Sequence, residues 1–552
     1  MLEGLMQHDH PLTIQHILER MRRVHGDSEV VTLTESGRER ASYSAVAERV
    51  DRLARALGSL GIEEGDRVAT FAWNSQRHLE VYFAAPCLGA VLHTLNIRLF
   101  AEQLTYIANH AQDQVVFVDD SLVEVLEQLA PAFETVRHYV VMGDGEMGSL
   151  PNAIRYEDLI ADQSPGYRYP RLDDRQAAGL CYTSGTTGNP KGVLYSHRSN
   201  LLHSFATCTT DAMALCADDR MLPVVPMFHA NAWGIPYAAG LSGADLIMPA
   251  GFLQPDPLTR LIAEERVTVS AAVPTVWNDI LRHVEDHPAD LSSVQRVICG
   301  GSAVPLSLMQ AWEERHGLRL IQAWGMTETS PLGSMARPPG GAEGDEHWSY
   351  RASQGRIMPL VEARLMSGEG EELQWDGEST GELEVRGPWV ASSYYEDSSE
   401  DDKFHNGWLR TGDIASIDDH GFIRISDRVK DVIKSGGEWI SSVELEVELM
   451  AHDDVVEAAV ISRPDERWQE RPLACVVRRE GSSVTAEELR DHLVERVAKW
   501  WIPEEFAFID AVPKTSVGKF DKKVLRARLA DGELEDRERL ESASAKKASA
   551  SR

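Results

Sequence analysis

The stretch Tyr182-Thr-Ser-Gly-Thr-Thr-Gly-Asn-Pro-Lys-Gly-Val193 crowds hydroxyl side chains and glycines around one lysine. Such a loop suits phosphate. Glycine lets backbone N–H groups approach an oxyanion, Ser/Thr hydroxyls add donors or metal ligands, and the lysine supplies a mobile point charge. Thr183, Ser184, Gly185, Thr186, Thr187, Gly188 and Lys191 are therefore the candidate phosphate-binding residues. The loop is not a Walker A motif, in which Gly-Lys-[Ser/Thr] runs into a helix. Here Gly192 follows the lysine, and the residues up to His197 alternate like a strand. A polar hairpin loop fits the composition of this stretch as well, so the rest of the chain has to decide.

Five further stretches carry chemistry-bearing residues. Pro223-Val-Val-Pro-Met-Phe-His-Ala-Asn-Ala-Trp-Gly234 sets Phe228, His229 and Trp233 among prolines and a glycine, predicting an irregular aromatic loop that can wall an apolar pocket. Val297-Ile-Cys-Gly-Gly-Ser-Ala-Val304 and Leu320-Ile-Gln-Ala-Trp-Gly-Met-Thr-Glu-Thr-Ser-Pro331 read as strands opening into loops, the place where open α/β sheets bind ligands. Gly300 and Gly301 would admit a flat base, Trp324 would stack on it, and Thr327 with Glu328 would hold a phosphate oxygen and Mg²⁺. Asp413, beside Gly412, suits a bidentate grip on ribose hydroxyls, although a lone Gly-Asp is more often a turn. Val512-Pro-Lys-Thr-Ser-Val-Gly-Lys-Phe520 is the last such motif.

The elements that must position these residues are those of an α/β protein. Val46, Val50, Leu53, Leu57 and Leu60 form the stripe of an amphipathic helix, whereas Arg67 to Ala72 and Gln114 to Val118 read as short buried strands. Alternation of this kind means a sheet with helices on its faces. Ser199 is placed to cap a helix through Leu201 and Phe205. Beyond Arg428 the texture changes: Ser441 with Glu444 and Thr485 with Glu488 are capping boxes, with strands over 455–461 and 473–477 between them. That predicts a compact α+β unit. From Leu529 the chain is charged and Ala/Ser-rich, predicting a disordered tail.

Composition narrows the function. With 552 residues, 43% hydrophobic, the chain can build more than one domain. A net charge of −32 argues against a nucleic-acid or anionic-membrane partner, so any anionic ligand needs a local basic site. The N-terminus lacks a basic leader, and no run of about 18 apolar residues occurs, which reads as cytoplasmic with no integral membrane segment. Six cysteines without Cys-x-x-Cys predict buried thiols rather than disulfides or zinc. Only 11 of the 55 basic residues are lysine, and none precedes Lys191. A chain that uses Arg almost everywhere keeps Lys where a compact ammonium on a flexible stem is wanted.

Together the motifs resemble the adenylate-forming superfamily of acyl-CoA synthetases, luciferases and peptide-synthetase adenylation domains, in order, spacing and identity over roughly residues 30–525. Pro226-Met-Phe-His-Ala-Asn-Ala-Trp233 and Lys434-Ser-Gly-Gly-Glu-Trp-Ile-Ser-Ser-Val-Glu-Leu-Glu446 are most similar to medium- and long-chain fatty acid–CoA ligases. The resemblance implies an α/β fold: a large N-terminal domain of stacked sheets with flanking helices over 1–427, a small mobile α+β domain over 428–528, and the tail over 529–552. It implies a fatty acid, ATP and CoA as substrates, Mg²⁺ as cofactor, and a homodimer. A fatty carboxylate would attack the α-phosphate to give acyl-AMP and pyrophosphate, and the CoA thiol would then displace AMP.

Carried over by motif, residues 184–188 and Lys191 hold the β- and γ-phosphates, Glu328 with Ser184 holds Mg²⁺, and Thr327 holds the α-phosphate. Gly301, Gln322, Ala323 and Trp324 frame the adenine, with Asp413 and Arg428 on the ribose. Where this chain has Ala323-Trp324-Gly325 the family often has Gly-Tyr-Gly, a smaller stacking ring. Lys430 is the hinge, Lys434, Gly437 and Trp439 lie on the CoA side, Lys519 is the adenylation lysine, and Phe228, His229 and Trp233 line the acyl pocket. A short, branched or thioether acid is the alternative substrate. A luciferase-like oxygenase and a non-catalytic nucleotide sensor are the rival functions.

Overall fold

The computed structural model describes residues 6, 7, 9–183, 189–397, 402–435, 438–465, 467–494, 496–515, 520–534 and 536–540. Ser184 to Gly188, Gly437 and Lys519 lie outside that set, as do residues 541–552 of the expected tail, and Trp439 is described as backbone only.

A seven-stranded sheet runs in the order Ala153–Arg155, His138–Met142, Asp113–Asp119, Arg67–Phe71, Val91–Thr94, Ala177–Tyr182, Gly192–Ser196. All neighbours are parallel except the last pair, where Gly192–Ser196 folds back on Ala177–Tyr182. Thr183 and Lys191, at the two ends of the phosphate-loop sequence, thus stand beside each other where this antiparallel pair ends. A fifteen-stranded sheet contains the parallel run Asp245–Met248, Arg220–Pro223, Val269–Ala272, Arg296–Gly300, Leu320–Gly325, and it continues antiparallel through Leu332–Met335 to Phe422–Arg428 and Trp408–Ile417. Parallel strands are covered on both faces, which is why their sequences are short continuous apolar runs.

The helices Gln76–Leu88 and Ile235–Ser242 fill the space between these sheets. His78 to Cys87 are all buried, and one core cluster joins Tyr82 and Phe83 to Tyr237, Val115, Met221 and Ile298 from both sheets. Only His78 and Glu80 break the apolar run, and both are met by partners, His78 by Thr70 and Trp73 and Glu80 by Arg49, Gln76 and Tyr156, as an internal helix requires. A smaller C-terminal domain follows, with a six-stranded sheet built on the antiparallel pair Val455–Asp465 and Gln469–Arg478, and its own core around Ile433, Leu445, Val460 and Phe506. The expected large α/β part and small α+β part are both present.

Three expectations need correction. The helix is His197–Thr207 and its cap is Ser196, whose Oγ accepts from the N–H of Ser199, because the chain leaves the strand three residues earlier than the Ser199 reading assumed. Residues 229–234 are not simply irregular. Ala230, Asn231, Ala232 and Trp233 all have φ between 42° and 58°, a left-handed turn without glycine. Residues 529–534 and 536–540, expected in the disordered tail, are folded: Lys522–Ala530 is a helix, Leu534 is buried, and Arg537–Arg539 pairs with Glu505–Phe508. The charged composition there hides two apolar anchors, Leu534 and Leu540, and Glu538 accepts from Ala486 N–H and Arg478.

Buried histidines give the fold an acid limit. His203 accepts from Leu332 N–H through Nε2, and burial pushes it down to about 3; burial likewise pushes His78 and His197 down to about 4. Each folded value lies below the unfolded one, so the stabilisation is whole above about pH 6.5 and is lost as pH falls, by about 1.4 kcal/mol per pH unit per histidine. His203→Gln keeps an acceptor for Leu332 without titrating. Denaturant melts near pH 7 and near pH 5 should show the wild type losing about 2 kcal/mol more than this variant on acidification; equal losses would mean that His203 takes up its proton in the fold as readily as in the unfolded chain.

Candidate active site

One cavity of about 880 Å³ lies where the loops at the sheet ends meet the C-terminal domain. Thr183 and Lys191 close the base of the phosphate hairpin, with Thr183 N–H on Lys191 O at 2.9 Å and Lys191 N–H on Thr183 Oγ1 at 3.2 Å, and both line the cavity. Lys191 Nζ stands 3.3 Å from Asp397 and 4.8 Å above the ring of Tyr394. Tyr394 in turn donates to Glu328 Oε1 at 2.6 Å, and Lys403 Nζ approaches the same oxygen at 3.4 Å. Lys191 and Glu328, 137 positions apart by their numbers, are thus joined by one tyrosine. Tyr394, Asp397 and Lys403 were missed by sequence reasoning. The scarcity of lysine was the available signal for Lys403.

Glu328 and Thr327 sit on the 3₁₀ turn Thr327–Thr329 at the end of the strand Leu320–Gly325, and Tyr195 OH holds Thr327 O at 2.8 Å. Both residues are buried and line the cavity. Among the described residues no three His, Cys, Asp or Glu converge as a metal cage. A single carboxylate beside hydroxyls fits Mg²⁺, which keeps its waters and binds through one or two carboxylates plus substrate phosphates.

The wall expected to take the nucleoside is built from an antiparallel pair. Asp413 faces Arg428 in register, and its buried carboxylate takes Arg428 Nε at 2.6 Å on Oδ1 and Trp324 Nε1 at 3.0 Å on Oδ2. Two donors fix the carboxylate and leave it lone pairs for hydroxyl groups. The ring of Trp324 lies against Gly333, where any Cβ would overlap it. Gly300 is equally constrained, since a Cβ there would stand 2.8 Å from Ala323 O and 3.4 Å from the Trp233 ring. Gly301, Ala323 and Trp324 line the cavity as expected. Gln322 reaches it too, but its amide is spent elsewhere, accepting from Val304 N–H and donating to the carbonyls of Ala352 and Ser353. Its side-chain amide thus holds the loops together.

On the apolar side the left-handed turn presents His229 and Trp233 to the cavity. Asn231 anchors the turn by accepting from Cys181 Sγ at 3.1 Å and Tyr82 OH at 3.4 Å. Four left-handed residues without glycine cost about 1–2 kcal/mol each, so this turn persists only because its surroundings dictate it. Phe228 does not line the cavity; it is buried against Trp73 at 6.2 Å, with Arg98 over its ring at 5.8 Å.

The C-terminal domain closes the far wall. Lys514, Thr515, Phe520 and Lys522, on either side of residues 516–519, line the cavity, as do Arg428 and Lys430 of the connection. Desolvation lowers the Lys430 ammonium below its usual range. Lys434 is exposed and does not line the cavity; it pairs with Trp439 in the hairpin Ile433–Ser435 and Glu438–Ile440.

Comparison with known proteins fits this site. Residues 18–395 match the AMP-binding enzyme family and residues 444–519 match its C-terminal domain. The chain is 44% identical to a medium-chain-fatty-acid–CoA ligase of Ectopseudomonas oleovorans, over 94% of this chain and 96% of that one. It is 43% identical to a long-chain-fatty-acid–CoA ligase of Thermus thermophilus, over 94% and 96%, and 41% identical to a 3-methylmercaptopropionyl-CoA ligase of Ruegeria lacuscaerulensis, over 94% and 98%. Its fold superposes on an anthranilate–CoA ligase in complex with anthranoyl-AMP with a TM-score of 0.86 at 25% identity, covering 96% of this chain and 100% of that one. The chain belongs to the AMP-binding enzyme family, with both the large domain and the C-terminal domain of that family.

Proposed function

We propose that the protein is an AMP-forming fatty acid–CoA ligase, converting ATP, a medium- or long-chain fatty acid and CoA to acyl-CoA, AMP and pyrophosphate through an acyl-adenylate. The observation that carries this reading is the single cavity that brings a phosphate corner (Thr183, Lys191, Glu328), a nucleoside corner (Trp324, Asp413, Arg428) and an aromatic wall (His229, Trp233) together. The medium- and long-chain ligases among its relatives support the substrate class. The 3-methylmercaptopropionyl-CoA ligases, at 41% identity, are the specific reason to keep a short thioether acid as the second reading.

In this mechanism Lys191 and the hydroxyl-rich loop bind the β- and γ-phosphates, Thr327 orients the α-phosphate, Trp324 stacks on the adenine, and Asp413 takes the ribose hydroxyls. Glu328, with Ser184, would hold Mg²⁺, which when bound offsets phosphate charge. The carboxylate oxygen attacks phosphorus, the bond to pyrophosphate breaks, and Lys519 stabilises the charge that develops. Arg428 and Lys430 serve as the connection about which the small domain then turns to present Gly437 and Trp439. The thiol of CoA adds to the acyl carbonyl and AMP leaves. Neither step needs a covalent enzyme intermediate, so the protein acts by positioning and charge stabilisation. We carry a homodimer from the resemblance, to be checked by sedimentation.

The deciding experiment is pyrophosphate release over acids from about C2 to C18, with and without CoA. A maximum at medium or long chain with CoA-dependent turnover supports the reading. A maximum at short thioether acids moves it to the second, and light emission with oxygen moves it to an oxygenase. One methylene is worth about 0.8 kcal/mol of transfer free energy, so a preference should build up over several carbons.

Trp233 tests the pocket wall. If its indole bounds the acyl channel, Trp233→Ala should shift the chain-length optimum and change the KM for acid at least about fivefold, about 1 kcal/mol, while the KM for ATP moves less than twofold. Parallel losses for every acid and for ATP would make Trp233 a structural residue.

A further inference from the structure

Lys522 is buried where the two domains meet, and no step of the proposed mechanism uses it. Its ammonium lies 2.7 Å from Glu446 Oε1 and 2.6 Å from Ser442 Oγ, both on the helix Ser442–Met450 of the small domain. Ser442 N–H donates to Asp427 Oδ2, and Ser441 Oγ donates to Ser426 O. Asp427 belongs to the last strand of the large sheet, Phe422–Arg428, and is fully buried. The charged groups facing Lys522 are Glu446, Asp427 and Asp431, the last already paired with Arg526 at 2.6 Å. One half of this network is internal to the small domain and the other half crosses to the large one.

The network also holds one stem of the turn that precedes Lys522. Lys514 and Phe520 form an antiparallel bridge, and Asp521 N–H donates to Pro513 O at 2.7 Å. The other stem is tied by Lys514 to Glu457 at 2.6 Å. Both stems line the cavity that Thr327 and Trp324 line, whereas Lys434 does not. Lys522, Glu446 and Ser442 move together, so turning the small domain away would part Asp427 from Ser442 N–H and from the charge of Lys522, and a buried carboxylate stripped of its partners is expensive. This packing therefore favours the one domain orientation in which the two halves meet.

We propose that Lys522 is a positioning residue for the first half-reaction: through Glu446, Ser442 and Asp427 it latches the small domain in the orientation that presents Lys514, Thr515 and Phe520 to the cavity. The latch has to open before thioester formation. This rests on the two-step ligase reading above. Burial raises Glu446 to about 7 and also raises Asp427.

The test compares the wild type with Lys522→Met, which removes the ammonium, and Asp427→Asn, which turns one acceptor facing N–H groups into a donor while leaving the Lys522–Glu446 pair intact. Four readouts are taken: acid-dependent pyrophosphate release, conversion of supplied acyl-AMP and CoA to acyl-CoA, trypsin cleavage after Arg428 or Lys430, and melting temperature. The latch predicts at least about a tenfold loss of pyrophosphate release for Lys522→Met and about threefold for Asp427→Asn, about 1.4 and 0.6 kcal/mol. Conversion of supplied acyl-AMP stays within about twofold, and trypsin cuts faster in both variants. Equal loss of both half-reactions, or an Asp427→Asn variant identical to wild type, overturns it. Should Lys522→Met melt too early to assay, Asp427→Asn alone decides. Should the wild type release no pyrophosphate with any acid, the ligase reading fails instead, and the trypsin rates alone judge the latch.

Discussion

Replacing Lys519 by alanine will abolish most acyl-AMP formation yet leave the conversion of supplied acyl-AMP and CoA near the wild-type rate. A charge aimed at a transferring phosphoryl group is worth about 3–4 kcal/mol, so acid-dependent pyrophosphate release should fall on the order of a hundred- to a thousandfold. The asymmetry follows from position. Lys514, Thr515, Phe520 and Lys522, which flank the segment carrying Lys519, line the same cavity as Thr327 and Glu328, while the hairpin side chain Lys434 is exposed and does not. On the proposed two-step reading the face presented here serves pyrophosphate departure, and the hairpin expected on the CoA side arrives by a turn about Lys430. A bulky residue at Gly437 should do the reverse, stranding acyl-AMP while pyrophosphate is released normally. Equal damage to both half-reactions by Lys519→Ala would reduce Lys519 to an ordinary binding residue.

The lysines also show what the sequence could and could not disclose. Their scarcity marked Lys191, Lys430, Lys434 and Lys519, but the same argument applies to Lys403, Lys514 and Lys522, and these three line the cavity as well. Motif reading stopped at the residues with a known pattern, whereas the physical reason for keeping a compact ammonium was general. The strands and the loops at their ends were legible because parallel strands covered on both faces are written as short apolar runs, as in Val115 to Val118 and Val297 to Cys299.

What stayed hidden depends on pairing distant in the chain. No spacing rule links Lys191, Glu328 and Tyr394; the fold brings them together by laying Ala391 N–H on Glu328 O at 2.8 Å and Tyr395 N–H on Gly192 O at 2.8 Å. The left-handed turn at Ala230 to Trp233 has no glycine to announce it, because it is imposed by Asn231, Tyr82 and Cys181 rather than by local preference. Gln322 was assigned to the adenine by motif, yet its amide is engaged by three loop groups. A residue's place in a motif and the use of its side chain are separate facts.

Glu328 is where the charge of the phosphate corner is balanced, and Glu328→Gln will show how. The carboxylate is buried, receives Tyr394 OH at 2.6 Å and faces Lys403 at 3.4 Å on the same oxygen. Glutamine preserves the shape and can still accept from Tyr394, so the fold should melt within a few degrees of the wild type. It removes the negative charge, however, and with it the buried carboxylate this corner offers a hard cation, Asp397 being already paired with Lys191. Acid-dependent pyrophosphate release should therefore fall at least about tenfold, about 1.4 kcal/mol, and raising Mg²⁺ should recover part of it. Tyr394→Phe serves as the control for geometry. It deletes one hydrogen bond to Glu328 and keeps the ring under Lys191, so it should cost about threefold and show no recovery with Mg²⁺. If Glu328→Gln runs at the wild-type rate, the cation is held elsewhere. If Tyr394→Phe matches the loss of Glu328→Gln and neither responds to Mg²⁺, Glu328 acts by fixing Tyr394 beneath Lys191, and the corner works through the lysine rather than through the metal.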